Sequence, residues 1–369
     1  MSWLLAILGL LVLIVLHELG HFLAAKAVGM RVERFSLFFP PKLVGIKRGE
    51  TEYSIGAIPA GGYVKITGMS PVELEQLDLR VADRAYYMQQ PWKRIVVILA
   101  GPAMNLLIAF VLFVGVLLSG SLEGASMLER LDESTRTTSS TSRVVAVNTN
   151  LPAGGVLQPG DRIVGVDGRR TDPEEAREAI DSHLCAGPLR NGCVAATPVR
   201  LSVIREGVQT QLAVKPRYEA KEGRMLIGFG FEAKAKDFGP AAAAAAALSE
   251  MWHATTGTFA GLGQAVTESS KRKEISSIVG IASDENEVIA QGAARALVFL
   301  GFISLVLAIM NLLPFLPLDG GHLLWSLLEK LRGRRVSLAA MYRYSSVGIL
   351  LLLFLVINGV GNDIGRLTG

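Results

Sequence analysis

The pentapeptide His17-Glu18-Leu19-Gly20-His21 lies inside an apolar run from Trp3 to about Val28, and this placement restricts the chain more than any other feature. A helix needs ~20 apolar residues to cross a bilayer. Two imidazoles and a carboxylate inside such a stretch are costly in lipid unless they have partners, which makes them a functional site by default. Residues four apart share one helix face, so both imidazoles reach a single ion. Zinc suits them, because it takes tetrahedral nitrogen and oxygen ligands without redox chemistry. Glu18 lies about 100° round the helix from His17, the place of a general base beside the metal rather than of a ligand.

Three further apolar runs follow: Ile95 to Leu118, Ala296 to about Leu318 and Val347 to about Val360. Hydrophobic residues make up 50% of the chain and charged residues only 19%, against ~25% charged in soluble domains. The expected fold class is therefore a polytopic α-helical membrane protein with about four transmembrane helices. No charged residue precedes His17, so the first run reads as a retained helix and not as a cleaved signal peptide. Lys and Arg crowd the loop between the first two runs (Lys26 to Arg94) and the loop between the last two (Lys330 to Arg343). Both loops are expected in the cytoplasm, with the N-terminus, the long central loop and the C-terminus outside. Loop topology also accounts for the net charge of +4. No aromatic-basic stripe accompanies it, so no nucleic-acid partner is expected.

Within the first loop, Tyr53 to Gly68 (YSIGAIPAGGYVKITG) alternates β-formers with Gly and Pro and reads as short strands and turns against the membrane face. The central loop reads as a small α/β unit, with strands at 143–147, 161–168 and 198–207 and a helix near 173–183. Cys185 and Cys193 flank a turn-forming stretch there, and a disulfide and two free thiols are both compatible with the spacing. Residues 241–265 are Ala-rich and helical in pattern, and Trp252 marks an interfacial helix outside the membrane. Residues 271–287 are polar and irregular, and Lys271-Arg272-Lys273 reads as a solvated patch. His183 and His253 lack ligand spacing and read as surface residues.

A hydrolytic zinc site needs a third protein ligand and one open position. In the third run, Asn311-Leu-Leu-Pro314-Phe-Leu-Pro317-Leu-Asp319-Gly320-Gly321-His322 interrupts the helix with two prolines and two glycines. Such a break is tolerated at membrane depth only where the chain lines a cavity or packs on protein. Asp319 can turn a carboxylate onto the metal from this break, and His322 is chemically able to compete for the same role.

HELGH combined with NLLPFLPLDGGH resembles the site-2 protease family of intramembrane zinc metalloproteases, in its bacterial, PDZ-containing, RseP-like type. Gly56–Gly68, Gly101–Asn105 and the GGHLLWSLLEKLRGR stretch after Asp319 match as well, so the resemblance covers nearly the whole chain. It implies Zn2+ held by His17, His21 and Asp319, with Glu18 as catalytic base. It implies substrate contacts from Asn105, Asn311 and a re-entrant hairpin containing Gly61, Gly62 and Tyr63, whose edge adds a substrate strand. Leu151–Gly168 resembles part of a PDZ domain, which would bind a peptide terminus or act as a size filter over the site. The Cys185–Cys193 insert departs from the common pattern, as does Ser277–Gly280, where relatives have Gly-Pro.

The expected order is a first transmembrane helix (1–28), a cytoplasmic-side β-hairpin region (29–93) and a second transmembrane helix (94–119). An extracytoplasmic PDZ-like α/β domain (120–235) and a helical and irregular linker (236–294) follow. The chain ends with a third transmembrane segment (295–327), a cytoplasmic loop (328–343), a fourth helix (344–361) and a tail (362–369). The expected activity is regulated intramembrane proteolysis in the bacterial cytoplasmic (inner) membrane. Expected partners are membrane lipid, an upstream site-1 protease, and a single-span substrate such as an anti-sigma factor or a remnant signal peptide. A metal transporter or a non-catalytic scaffold is the alternative, but a transporter spreads ionisable residues along a path through several spans, whereas here they gather in one place.

Overall fold

The computed structural model describes residues 2–69, 73, 80–131, 138–267, 292–316, 318–334 and 336, together with separate positions between 340 and 362. Pro317, the Lys271-Arg272-Lys273 triplet and Ser277–Gly280 lie outside the described residues. The chain divides into two compact units, residues 1–135 with 237–369, and residues 136–236.

The first unit begins with helix α1 (Ser2–Ala27), followed by strands β1 (Val32–Arg48) and β2 (Thr51–Ile66). Helices α2 (Pro91–Leu118) and α3 (Leu122–Leu131) come next. Three helical stretches are long and apolar enough to cross a membrane: Ile7–Ala27, Pro91–Leu118 and Ala293–Asn311. The fourth apolar run falls partly outside the described residues. Those described there are helical, and Tyr344 stacks on Phe315 with ring centroids 5.7 Å apart.

The strands form a sheet whose register doubles back. Residues 34–37 pair with 62–65 on one side and with 52–55 on the other, while 42–48 pair with 51–56. Residues 62–65 therefore form an outer edge with no further strand upon it among the described residues. Glu50, at the turn between β1 and β2, binds Lys26 at 2.6 Å and Arg84 at 2.7 Å, which ties the hairpin to the end of α1 and to the loop before α2. Hydrogen bonds from Arg84 and Lys26 hold its carboxyl down at about 2. Underneath, Ala25, Met30, Val32, Ile66, Tyr86, Val97 and Ile98 form one buried cluster.

The second unit places β3 (Thr138–Val147), β4 (Arg162–Val166), β5 (Arg169–Arg170), helix α4 (Pro173–Asp181), β6 (Val199–Arg205) and β7 (Val208–Val214) before the short pair β8 (Arg217–Glu219) and β9 (Arg224–Leu226) and the last strand, β10 (Phe229–Ala235). Its antiparallel sheet runs β10-β3-β4-β6-β7, with β5 beside β4. Asp172 caps α4 through the backbone of Glu174 and Glu175, and Glu175 reaches back to close a capping box. Val144, Ile163, Ile180, Leu201 and Phe231 belong to a single core. Asp161 is buried and accepts both Arg205 bonds at 2.8 Å, which lowers its carboxyl pKa. Cys185 and Cys193 are joined in a disulfide. His183 bonds Asp167 and Thr197.

Returning to the first unit, helix α5 (Pro240–Thr267) precedes α6 (Ala293–Asn311) and α7 (Asp319–Arg332). Two sequence expectations are revised here. The central unit begins at Arg136 and not near residue 120, because α3 buries Leu128 with Phe113, Val116 and Val298 of α2 and α6. Helix α5 also packs along spans instead of standing apart from them. Ala243 and Ala247 meet Phe113, and Ala254 meets Ala109, Leu305 and Ile309, while Leu248, Trp252 and Phe259 are exposed. Small side chains on one face permit that close approach.

Candidate metal centre

The helical register of α1 brings His17 and His21 together, with their Nε2 atoms 3.2 Å apart. Asp319 at the start of α7 places Oδ2 3.2 Å from His17 Nε2 and 3.1 Å from His21 Nε2. Among the described residues these three form the only group of side chains with metal-binding geometry. His21 Nδ1 donates to the Val97 carbonyl at 2.8 Å. A carbonyl only accepts, so the proton sits on Nδ1 and the Nε2 lone pair of a neutral His21 faces the cluster. An ionised Asp319 likewise only accepts. The charge of the carboxylate in this largely buried cluster is balanced either by a proton on an imidazole or by a metal ion among the three atoms. Two imidazoles and a carboxylate are a ligand set that fits zinc, and the Val97 carbonyl is the outer partner such a ligand ordinarily has.

Glycines make the convergence possible. A Cβ at Gly20 would lie 2.4 Å from the Ala100 carbonyl oxygen, so α1 and α2 touch through backbone. A Cβ at Gly101 would lie 2.2 Å from His21 Nε2 and 2.8 Å from His17 Nε2. On the other side, α6 ends at Asn311 and α7 starts at Asp319, so the expected break separates two helices. Cβ atoms at Gly320 and Gly321 would strike Leu313 O at 2.2 Å and Leu316 N at 2.5 Å, so the first turn of α7 is seated directly on that break. Asp319 faces the histidines, and Leu318, not Asp319, is the helix cap. His322 turns elsewhere, its ring edge-on to Tyr86 at 6.1 Å.

Glu18 faces the sheet. A Cβ at Gly62 would stand 3.3 Å from Glu18 Cγ, and the Val64 backbone also faces this carboxylate. Gly61 has φ +135°, which a side-chain-bearing residue rarely adopts. The Tyr63 hydroxyl accepts from Arg34 at 3.0 Å, and its ring stacks on Phe39. Asn105 is 0% exposed on α2, one turn beyond Gly101 (spacing per), and both its amide atoms lack a hydrogen-bond partner among the described residues. Asn311 is not drawn into the cluster: its amide donates to Leu307 O at 3.0 Å within α6. Gly20, Gly101 and the Val97 carbonyl were not singled out from the sequence. Gly20 falls within the HELGH motif and Gly101 opens the matching Gly101–Asn105 stretch, but neither motif names the contact its glycine makes.

The description "Peptidase family M50" matches residues 5–355. Zinc metalloprotease Rip1 of Mycobacterium tuberculosis is 30% identical, with 88% of this chain and 85% of that protein covered. A Clostridium acetobutylicum protein provisionally named a zinc metalloprotease is 31% identical over 95% of this chain and 94% of its own length. A Rhizobium meliloti protein of the same provisional name is 28% identical over 98% and 95%. Among solved structures, the PDZ domain of an SdrC-like protein from Listeria innocua covers 25% of this chain and 93% of that domain, at 22% identity and a TM-score of 0.21.

Proposed function

We propose, from the premise that the chain belongs to peptidase family M50, the site-2 protease family of zinc metalloproteases, that it hydrolyses peptide bonds within or near the transmembrane segments of single-span proteins, with zinc held by His17, His21 and Asp319. The observation that carries this reading is the meeting of three ligand atoms within 3.2 Å of one another, two of them on an apolar helix long enough to cross a membrane. Zinc at such a site supplies Lewis acidity and makes water a competent nucleophile near neutral pH.

The chain's own residues supply the rest. Glu18 takes the proton from water and returns it to the leaving amine. The open edge at 62–65, beside Glu18, accepts the substrate as an added strand. Unwinding is required because a helix spends its carbonyls on internal bonds. Asn105 offers a buried, unpartnered amide to the strand's backbone, and Asn311 and Tyr63 line the approach. Exposed Leu43, Val44 and Ile46 on β1 support contact of the sheet with lipid. The disulfide supports an extracytoplasmic central unit, PDZ-like in role, since disulfides persist in oxidising compartments. The basic loops then lie in the cytoplasm and both termini outside, in a bacterial inner membrane. Substrates fitting this arrangement are anti-sigma factors shortened by a site-1 protease, or remnant signal peptides.

The test is purified full-length protein in liposomes with a single-span substrate, presented intact or with its outer domain removed. Cleavage of the shortened form within or beside its span, lost on chelation and restored by zinc, is expected. Cleavage confined to soluble polypeptide would overturn the proposal.

A further inference from the structure

We infer that the ion pair between buried Arg94 and partly buried Glu329 is a positioning device for Asp319, holding the far end of α7 so that the carboxylate at its near end meets the histidines; this rests on the ligand set proposed above. Arg94 is 1% exposed, and its Nη2 lies 2.7 Å from Glu329 Oε2. A buried pair is poor value as a source of stability, because desolvation offsets much of the attraction. Its geometry gives it a different use.

Asp319, His322, Ser326 and Glu329 recur at three- and four-residue spacing and therefore share one face of α7. That face meets a fixed wall. The His322 ring packs on Tyr86, Ser326 is buried, and the Arg94 guanidinium sits 5.8 Å from the centroid of the Tyr87 ring. Arg94 belongs to α2, whose Val97 carbonyl orients His21 and whose Gly101 lies against both imidazoles. The same helix thus sets the two histidines and grips the rod that carries the third ligand. Asp319 and Glu329 are separated by about 15 Å of helix. With the grip lost, α7 is free to turn on the seat of its first turn, and the direction in which Asp319 is presented to the histidines is no longer fixed; an error of about 1 Å there is large enough to matter at a catalytic site. At the near end α7 follows the 312–318 break directly, so no continuous helix fixes its direction from that side.

The experiment uses the full-length protein in detergent, measuring zinc affinity by chelator competition and thermal unfolding in parallel. Glu329→Gln and Arg94→Gln are expected to weaken zinc binding about 10–100-fold, and exchanging the two charges (Arg94→Glu with Glu329→Arg) to recover part of that loss. Asp319→Ala tests the ligand set separately: wild-type zinc affinity there would overturn the ligand reading. Loss of zinc by Asp319→Ala, with wild-type affinity retained in folded Glu329→Gln and Arg94→Gln, would overturn the positioning role alone. Where those variants fail to fold, Arg94→Lys takes their place, since it keeps the charge but not the planar fork. A partial loss of affinity is expected for it, and unchanged affinity counts against the inference.

Discussion

Glu18→Gln is expected to lower cleavage of a single-span substrate by about 10²–10⁴-fold, the usual contribution of a positioned acid–base group, while leaving zinc bound. Gln fills the same volume beside Gly62 but cannot take a proton from water. The ligand atoms of His17, His21 and Asp319 are untouched by the change, so metal content separates this outcome from collapse of the site. Turnover and zinc content measured on the same preparation check it. Undiminished turnover would remove Glu18 from the chemistry.

Gly101→Ala is the second large effect, and it acts in the opposite way, on the metal rather than on the proton. Its methyl would sit 2.2 Å from His21 Nε2 and 2.8 Å from His17 Nε2, closer than carbon and nitrogen approach without bonding. Either α1 and α2 separate or the imidazoles swing away. Separation also breaks the Gly20–Ala100 contact and pulls His21 from the Val97 carbonyl. Zinc affinity is expected to fall by at least about 100-fold, and activity with it. Gly115→Ala is the matched control, on the same helix with open space where the methyl would go. Zinc competition on both variants decides the point, since equal affinities would mean that the close approach at Gly101 is not needed.

The candidate cluster was legible because its chemistry is local. Spacing alone puts His17 and His21 on one face, and the Pro and Gly content around Asp319 marks a break that only a buried or cavity-lining chain tolerates. The supporting residues were not legible, because their roles depend on which neighbour they meet. Gly101 and Gly20 sit in motifs whose spacing names no contact for them until α1 lies across α2. Arg94 reads as one more cytoplasmic charge until Glu329, far away in sequence, arrives beside it. Helix α5 has the composition of an interfacial helix, yet its Ala face fits against Ala109 and Leu305. The doubled register of 34–37 between two stretches of β2 depends on long-range pairing that alternation of residue types does not encode.

Zinc K-edge X-ray absorption on the purified full-length protein tests the central claim most directly. Two imidazole nitrogens at ~2.0–2.1 Å with carboxylate oxygen at a similar distance, and loss of the oxygen contribution or of the metal in Asp319→Ala, is the predicted result. A spectrum without imidazole scattering, or one unchanged by Asp319→Ala, would contradict it.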